Sequence, residues 1–489
     1  MKQEVISQLK LIVGKEYVVE SLSEKLPYLY DSSNVNIRPQ ANEDSILVRP
    51  GSVEEISAIM KIADKYHIPV VGRGSGTGLS GGAVPTQESI VIAMERLNKI
   101  LEVDRENMMV TLEAGVTLED MYKEMDKHEG VWFPAHPAFD TAQFGGMAST
   151  NGGGARAIRH GIMRRHIAGM EVVLPDGSIL NFGGKLIKDN AGFNLMNLVI
   201  GSEGALAIIT KLIIRIYPED KFNGTILVGF DSVANASKAC LDILQSGVVP
   251  LAIEYLDRHL LVGACETMNK MHGTDVVWPL TNGSNDLVIV LSEVSKSQFE
   301  GVCEIVERAC EANGAVQQMF IEDKKQAKDL IDARAHYYYY VKPLMSHYFD
   351  MTVPVASIPS FLDDLHKLFE GYGTRTNICA HIADGNLHNE ILLGEDGKVL
   401  PFAEELKEEM YKLCLSYGGT ITGEHGVGKL RLKELAIQKP KAEIDLMRRI
   451  KHAFDPKGIL NPGTVVQPQS IIKPVPVTFD IEQEEALTS

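Results

Sequence analysis

Three histidines and a glutamate, in two short segments late in the chain, are the residues best suited to chemistry. His381 and His388 flank an Asp-Gly-Asn sequence, and Glu424 and His425 follow between two glycines. Two imidazoles and a carboxylate suit a borderline divalent ion such as zinc, iron or manganese. The spacing by itself fits ordinary core or surface histidines equally well, so a metal site needs support from elsewhere in the sequence.

A glycine loop early in the chain is the second feature that indicates a function, here the binding of a ligand. Residues 72–82 read GRGSGTGLSGG, with six glycines in eleven positions. Glycine lets several backbone N–H groups point at one anion and lets the ligand approach closely, which favours a pyrophosphate over a bare structural turn. The loop contains a G-x-G-x-x-G spacing, but a Rossmann fingerprint opens a helix, and the strand-like stretch Ser89–Met94 follows here.

Two further glycine loops follow in the same region of the chain. Residues 144–154 read FGGMASTNGGG and residues 201–206 read GSEGAL. Each loop is weak evidence alone. Three such loops together predict a long, extended cofactor with several polar contact zones.

The elements that must position these residues alternate between helices and strands. Ser52 with Glu55 and Thr117 with Asp120 are typical of helix starts. The predicted strands are short apolar runs: Ile68–Val71, Ser89–Met94, Met109–Glu113, Met170–Leu174, Ile179–Phe182, Gly224–Phe230 and Asp286–Leu291. Helices mixed with hairpins indicate an α+β fold rather than a purely doubly wound sheet.

Changes in composition divide the chain into four predicted parts. Residues 1–220 carry the glycine loops, and residues 221–415 form a second α/β region. Residues 416–465 form a C-terminal segment that contains Glu424 and His425. Residues 466–489 form a tail that is punctuated by prolines and acidic at its end.

Charge and cysteine content exclude several classes of partner. The formal net charge of −17 argues against nucleic acid and against an anionic membrane surface. The six cysteines contain no C-x-x-C pair, which predicts free thiols in a reducing compartment. Lys10 and Lys15 interrupt the N-terminal apolar stretch, and no apolar run approaches the roughly 20 residues of a membrane span. We therefore expect a cytoplasmic protein.

Six motifs, taken in order, resemble the FAD-binding flavoenzymes of the vanillyl-alcohol oxidase type. They are R-G-x-G-T-x-L-S-G-G from Arg73, G-G-x-x-x-T-N-x-G-G from Gly145, G-S-E-G-x-L from Gly201, HIADGNLH from His381, GEHG from Gly423 and LNPG from Leu460. The last three narrow the resemblance to the branch that holds the D component of glycolate oxidase, D-lactate dehydrogenase and D-2-hydroxyglutarate dehydrogenase. The resemblance implies a two-part FAD-binding domain in residues 1–220, an α/β substrate (cap) domain in 221–415, and a return to the flavin in 416–465.

The resemblance also implies where FAD binds. The residues it assigns to the cofactor are Arg73, Gly74, Ser75, Gly76, Thr77, Gly78 and Ser80 at the pyrophosphate, with Gly146, Thr150, Asn151, Gly154, Ile209 and Asn461 further along. Some relatives attach the flavin through a histidine near the first loop. Thr77 occupies that position here, so we expect FAD to be bound non-covalently. Met147, His160 and Ala207 depart from the residues usual in the family, which affects only fine contacts.

The same resemblance assigns the chemistry. His381, His388 and Glu424 would hold one divalent ion, His425 would act as the base, and Arg334 would bind the substrate carboxylate. A solvated surface arginine remains the alternative for Arg334. Tyr338 and Tyr348 stand where hydroxyglutarate dehydrogenases use a threonine and a lysine for a second carboxylate, which favours lactate or glycolate. The run from 337 to 340, four consecutive tyrosines, belongs either to the core or to a pocket wall.

These expectations combine into a predicted function. The chain would oxidise a small D-2-hydroxy acid, D-lactate first and glycolate next, by hydride transfer to FAD. Electrons would leave to an external acceptor, which could be an electron-transfer flavoprotein, an iron–sulfur protein partner or a quinone. The alternatives are a D-2-hydroxyglutarate dehydrogenase, an oxidase that uses oxygen, an alkyl-transferring synthase and a non-catalytic electron-transfer component of a larger flavoprotein complex. The metal motif argues against the synthase.

Overall fold

A computed structural model describes residues 1–135, 137 and 139–467 of the chain. Most of the predicted tail, residues 468–489, lies outside the described residues. Within them, no helix combines the length and the apolar composition that crossing a bilayer requires. The six thiols at 240, 265, 303, 310, 379 and 414 are all unpaired.

The first part of the chain builds a small sheet of four strands. Its elements are α1 (Gln3–Val13), β1 (Val18–Val19), α2 (Leu22–Leu29), β2 (Ile46–Val48), α3 (Val53–Tyr66), β3 (Val70–Arg73) and β4 (Ile90–Ala93). Strands β2, β4 and β3 pair in parallel, and β1 is antiparallel to β2. Helix α3 begins as predicted, because the Ser52 hydroxyl accepts a hydrogen bond from the Glu55 N–H at 3.2 Å.

A second sheet of five antiparallel strands follows, in the order β5-β6-β10-β8-β9. The elements are β5 (Ile100–Asp104), β6 (Met109–Glu113), α4 (Leu118–Met125), β7 (Val131–Trp132), α5 (Phe144–Thr150), α6 (Ala157–His160), α7 (Met163–His166), β8 (Ile167–Val173), β9 (Ile179–Gly183), α8 (Leu195–Val199), β10 (Ile208–Arg215) and β11 (Tyr217–Pro218). Buried residues such as Val70, Ile92, Leu112 and Leu212 belong to one cluster. The two sheets therefore share a single core.

A third sheet, of seven strands, is formed by residues 222–388 in the order β15-β12-β14-β13-β18-β19-β17. The elements of this part are β12 (Phe222–Phe230), α9 (Val233–Gln245), β13 (Ala252–Asp257), α10 (Arg258–His272), β14 (Asn285–Glu293), α11 (Lys296–Ala312), β15 (Gln317–Ile321), α12 (Lys324–Val341), β16 (Met345–Tyr348), β17 (Met351–Thr352), α13 (Ile358–Gly371), β18 (Cys379–His381), β19 (Asn386–His388), β20 (Glu390–Leu392) and α14 (Ala403–Ser416). Ile226 packs into one cluster with α9 and α13, whereas Leu227 packs into another with α10 and α12. Helices cover both faces, which explains why the central strands read as continuous apolar runs.

The C-terminal segment returns to the first sheet. After α15 (Leu432–Gln438) and α16 (Lys441–Phe454), residues 459–461 lie beside β3. The Val70 N–H donates to the Ile459 carbonyl at 2.7 Å, and the Asn461 N–H donates to the Val70 carbonyl at 2.8 Å. This contact brings Asn461 next to the first glycine loop.

The structure confirms the predicted α+β class and the strands named from sequence, with ends displaced by up to a few residues. The capping box at Thr117 and Asp120 is present. No helix follows the first glycine loop; strand β4 does, so setting aside the Rossmann fingerprint is confirmed. The predicted boundary near residue 220 falls between β11 and β12, and the four-part division remains a prediction.

Candidate active site

One continuous cavity joins the glycine loops to the histidine cluster. Its empty volume is about 1810 Å³, part of which is open to solvent. Residues 72–80, 145–147, 149–150 and 152–155 line one part of it, and Arg334, His388 and His425 line another. A long ligand with its reactive part near the histidines matches this shape.

The arginine of the first glycine loop, Arg73, hydrogen-bonds to the backbone of the segment that precedes the loop. The Arg73 guanidinium donates to the Tyr30 carbonyl at 2.8 Å and to the Pro27 carbonyl at 3.2 Å. A side chain at Gly76, whose φ is +77°, would collide with that guanidinium. The backbone of this loop, rather than the Arg73 side chain, is therefore the part that is free to meet a ligand.

Most residues assigned to the cofactor line the cavity. They are Arg73, Gly74, Ser75, Gly76, Thr77, Gly78, Ser80, Gly146, Thr150, Gly154, Ile209 and Asn461. Asn151 does not line it; its side chain accepts a hydrogen bond from the Arg164 N–H at 2.9 Å. At Gly146 an added Cβ would meet no atom within 4 Å, so the cavity there has the open space that a cofactor needs.

Two polar residues tie the third glycine loop to the C-terminal segment. The buried Glu203 carboxylate accepts hydrogen bonds from the N–H groups of Val427 and Gly428, at 2.8 and 2.9 Å for the shorter contacts. The Asn461 amide donates to the Gly82 carbonyl at 2.9 Å and to the Glu203 carbonyl at 2.7 Å. Glu203 lies in the GSEG motif, but its role in joining the two segments was not predicted from sequence.

Antiparallel pairing of β18 with β19 brings His381 and His388 together. His381 lies opposite Asn386, and His388 follows two positions later on the same face of the sheet. The turn between the strands requires a glycine at 385, because φ is +85° and an added Cβ would lie 2.1 Å from the Val353 carbonyl oxygen. The His-Ile-Ala-Asp-Gly-Asn-Leu-His spacing thus encodes a hairpin that points both imidazoles into the cavity.

A buried glutamate on β13 orients both His381 and Arg334. Glu254 lies opposite His381 in the sheet, and its carboxylate is 2.7 Å from His381 Nδ1. Its other oxygen pairs with Arg334 Nε. By holding Nδ1, Glu254 orients the His381 ring so that Nε2 faces the cavity. Carboxylates commonly orient metal-binding histidines in this way. Sequence reasoning missed Glu254, although a charged residue in the apolar strand Ala252–Asp257 was an available signal.

Arg334 is buried rather than solvated, and it lines the cavity. Among the described residues, its Nη2 has no hydrogen-bond partner. An unsatisfied buried guanidinium nitrogen is costly, so a carboxylate in the cavity would be a favourable partner. The surface alternative for Arg334 is therefore wrong.

Glu424 lies where the three imidazoles converge. Its Oε1 is 3.4 Å from His381 Nε2, 3.4 Å from His388 Nε2 and 3.9 Å from His425 Nε2. Gly153 of the second glycine loop lets Glu424 approach, since an added Cβ would lie 2.7 Å from its Oε2. The donor set and its convergence fit a divalent ion held by His381, His388 and Glu424.

Asp350 holds the segment that carries Glu424 and His425. Its Oδ2 accepts hydrogen bonds from the N–H groups of Gly423, Glu424 and His425, at 3.0, 3.0 and 2.7 Å, and from the Thr422 hydroxyl at 2.6 Å. Asp350 is fully buried. Sequence reasoning missed it, because the four donors to Oδ2 lie more than 70 positions away.

A second set of four potential ligand atoms overlaps the predicted one. Asp350, His388, Glu424 and His425 each offer an atom within 4.8 Å of the others. The Asp350 oxygens already accept backbone hydrogen bonds, whereas His381 Nε2 faces Glu424 directly. We therefore favour His381 over Asp350 as the third ligand.

Aromatic rings close the cluster on one side. The Tyr348 ring stacks 5.5 Å from His425 and 5.8 Å from His388 between ring centroids. Burial lowers the pKa of His425 below its ordinary value, which keeps the imidazole neutral and able to accept a proton. Tyr337 and Tyr338 of the tyrosine run are buried in the core and also line the cavity, so both interpretations of the run hold for them.

Comparison with known proteins places this geometry in a family. Residues 45–183 match the model of the FAD binding domain, and residues 219–465 match that of the FAD linked oxidases, C-terminal domain. Together these matches cover both ends of the cavity.

Similar proteins span nearly the whole chain. A D-lactate dehydrogenase of Archaeoglobus fulgidus is 37% identical over 452 residues, covering 92% of this chain and 98% of that protein. The glycolate oxidase subunit GlcD of Bacillus subtilis is 31% identical over 465 residues, covering 94% and 96%.

Solved structures share the fold at low identity. A 4-ethylphenol oxidase from Gulosibacter chungangensis superposes with a TM-score of 0.74 at 19% identity, covering 95% of this chain and 97% of that one. A p-cresol methylhydroxylase gives 0.74 at 16% identity, covering 96% and 97%. The resemblance drawn from the motifs is confirmed: the chain belongs to the FAD-linked oxidase family with a fold of the vanillyl-alcohol oxidase type, and it is an FAD-dependent oxidoreductase.

Proposed function

We propose that this protein is a dehydrogenase of small D-2-hydroxy acids, with D-lactate as its best-supported substrate and glycolate as the next. The observation that carries the proposal is the continuous cavity from the glycine loops to the cluster of His381, His388 and Glu424. Arg334 lines this cavity, and its Nη2 has no hydrogen-bond partner among the described residues. Relatives named D-lactate dehydrogenase and glycolate oxidase subunit GlcD support this substrate class.

The chain's own residues supply binding and proton transfer. Arg334 would accept the substrate carboxylate on Nη2, with Glu254 holding the guanidinium in place. His425, kept neutral by burial and fixed through its backbone by Asp350, would take the hydroxyl proton on its cavity-facing nitrogen. Tyr348 would exclude water from one side of the reacting carbon.

Two bound groups would complete the site. FAD, held non-covalently along the glycine loops because Thr77 offers no attachment atom of the usual kind, supplies two-electron oxidation. A zinc, iron or manganese ion on His381, His388 and Glu424 would lower the pKa of the substrate hydroxyl.

Two aromatic residues favour a short substrate over a dicarboxylate. Tyr338 and Tyr348 line the cavity beside Arg334, where a second carboxylate would need a cation or hydroxyl donors aimed at it. Tyr338 donates its hydroxyl to the Ser32 carbonyl at 2.8 Å, and the Tyr348 hydroxyl pairs with that of Tyr337. The Tyr338 proton is therefore engaged, and neither tyrosine supplies the cation that a second carboxylate would need.

The electron acceptor is proposed from the absence of a second cofactor motif in the sequence. An electron-transfer flavoprotein or an iron–sulfur protein partner would take electrons from the reduced flavin. A cytoplasmic location remains a prediction.

Anaerobic reduction of the bound flavin tests the proposal. Purified protein should be yellow, and its flavin absorbance should bleach with D-lactate and with glycolate, but not with L-lactate. D-2-Hydroxyglutarate should react slowly. If no 2-hydroxy acid bleaches the flavin, while dithionite does, the proposed function is wrong.

A further inference from the structure

A second cavity lies behind the aromatic side of the active site. Its empty volume is about 790 Å³. Glu404, whose side chain is 70% exposed, lies at its outer end, so this end reaches solvent. Leu79, Tyr338 and Tyr348 line both this cavity and the active-site cavity.

These three residues form the wall between the two cavities. The rings of Tyr338 and Tyr348 lie edge to face with centroids 5.1 Å apart. On the active-site side, Tyr348 stacks against His425 with ring centroids 5.5 Å apart, so the wall lies beside the predicted base. Tyr338 is 4% exposed and is held by the hydrogen bond from its hydroxyl to Ser32.

The charges around the second cavity balance. Lys407 Nζ lies 2.7 Å from a Glu404 oxygen and 3.1 Å from a Glu434 oxygen. Arg431 donates to the Ser80 hydroxyl and the Gly426 carbonyl, at 2.9 and 3.0 Å. Burial lowers the pKa of His347, so this imidazole is neutral. Two cations, Lys407 and Arg431, and two carboxylates, Glu404 and Glu434, thus line the cavity, so its formal charges cancel and leave no net positive charge for an anionic ligand.

We propose that Leu79, Tyr338 and Tyr348 set the upper size of the substrate side chain, and that the second cavity is a subsite for a longer, uncharged side chain, which this wall separates from the active site. This inference rests on the proposed function. It assigns Tyr338 as a specificity-determining residue that is neither a predicted metal ligand nor the predicted base. Opening the wall at Tyr338 would join the cavities and admit an unbranched alkyl chain.

The test is the ratio of two second-order rate constants for anaerobic flavin reduction by the FAD-loaded enzyme, D-2-hydroxyhexanoate over D-lactate. In Tyr338→Ala this ratio should rise tenfold or more, because each buried methylene contributes a factor of about four. Tyr338→Phe keeps the ring and should keep the wild-type ratio. Tyr339→Ala is the matched control, since Tyr339 is next on the same helix, is 38% exposed and lines neither cavity.

The charge balance of the second cavity is tested with a dicarboxylate substrate. D-2-Hydroxyglutarate should gain less than the hexanoate in Tyr338→Ala, since the second cavity has no net positive charge to offset the cost of taking its second carboxylate out of water. A larger gain for the dicarboxylate would overturn the assignment of an uncharged ligand. If Tyr338→Ala does not fold, Leu79→Ala opens the same wall at a different residue and should raise the same ratio.

An unchanged ratio in the opened variants, or an equal rise in Tyr339→Ala, would refute the wall while leaving the proposed function intact. Wild-type protein that no 2-hydroxy acid reduces would remove both proposals together.

Discussion

Asp350 should control the active site without touching the substrate, and Asp350→Asn tests this. The substitution keeps shape and removes the charge. One Asp350 oxygen accepts four hydrogen bonds from residues 422–425, and the other accepts one from the Asn386 amide at 2.8 Å. Asparagine has one acceptor oxygen, so its NH₂ must face either those four donors or the Asn386 donor. Both orientations leave donors unpaired.

The size of the effect of Asp350→Asn on the rate follows from the hydrogen bonds that change. A hydrogen bond to a charged group contributes about 1.5–3 kcal/mol and a neutral one about 0.5–1.5. Losing roughly 1 kcal/mol on each of the four bonds weakens the segment by roughly 4 kcal/mol. If most of this free energy holds Glu424 and His425 in their reactive positions, its loss should slow flavin reduction by D-lactate by about 10²–10³-fold, at about 1.4 kcal/mol per tenfold.

Stopped-flow reduction under anaerobic conditions measures the rate, and elemental analysis measures the metal. Metal content should fall together with the rate, while FAD content stays at the wild-type level because Asp350 does not line the cofactor end of the cavity. Thr422→Val removes one of the five donors and should have a smaller effect of the same kind. Asp364→Asn is the control, because the Asp364 side chain is 44% exposed. Wild-type rate and metal content in Asp350→Asn would show that other contacts hold the segment.

Four further outcomes are expected. Gly146→Val should give folded protein with little FAD, because an added Cβ meets no protein atom within 4 Å and the side chain would occupy the cofactor cavity; flavin absorbance per chain measures this, and Gly301→Val, where an added Cβ is equally free of contacts, should keep its FAD. His381→Ala should lose the metal and most of the activity but keep the flavin, whereas full metal content by elemental analysis would move the site to Asp350 and His425. His425→Asn should keep FAD, metal and fold while flavin reduction slows by roughly 10²–10⁴-fold, the usual contribution of a positioned base; reduction at the wild-type rate would eliminate His425. Arg334→Lys should raise the KM for D-lactate by about 10–100-fold through loss of charged hydrogen bonds, and an unchanged KM would place the carboxylate elsewhere.

Local patterns in the sequence determined the helix starts, the turns and the fold class of this protein. The helix starts at Ser52 and Thr117 depend on side chains three residues from the N–H groups they cap. The glycine loops and the His381–His388 hairpin are equally local, because a turn is decided by the residues within it. These signals were sufficient for the α+β class, the FAD-binding family and the residues around which the site is built.

Only the tertiary structure decided how those residues are held. Glu254 meets His381 across 127 positions, and Glu203 meets Val427 across 224. The partners of Asp350 and the direction of the Arg73 side chain also depend on contacts between distant segments. A buried carboxylate needs donors to offset the cost of leaving water, but the sequence around it does not say which distant backbone will provide them. The return of residues 422–428 to the glycine loops and to Asp350 supplies those donors.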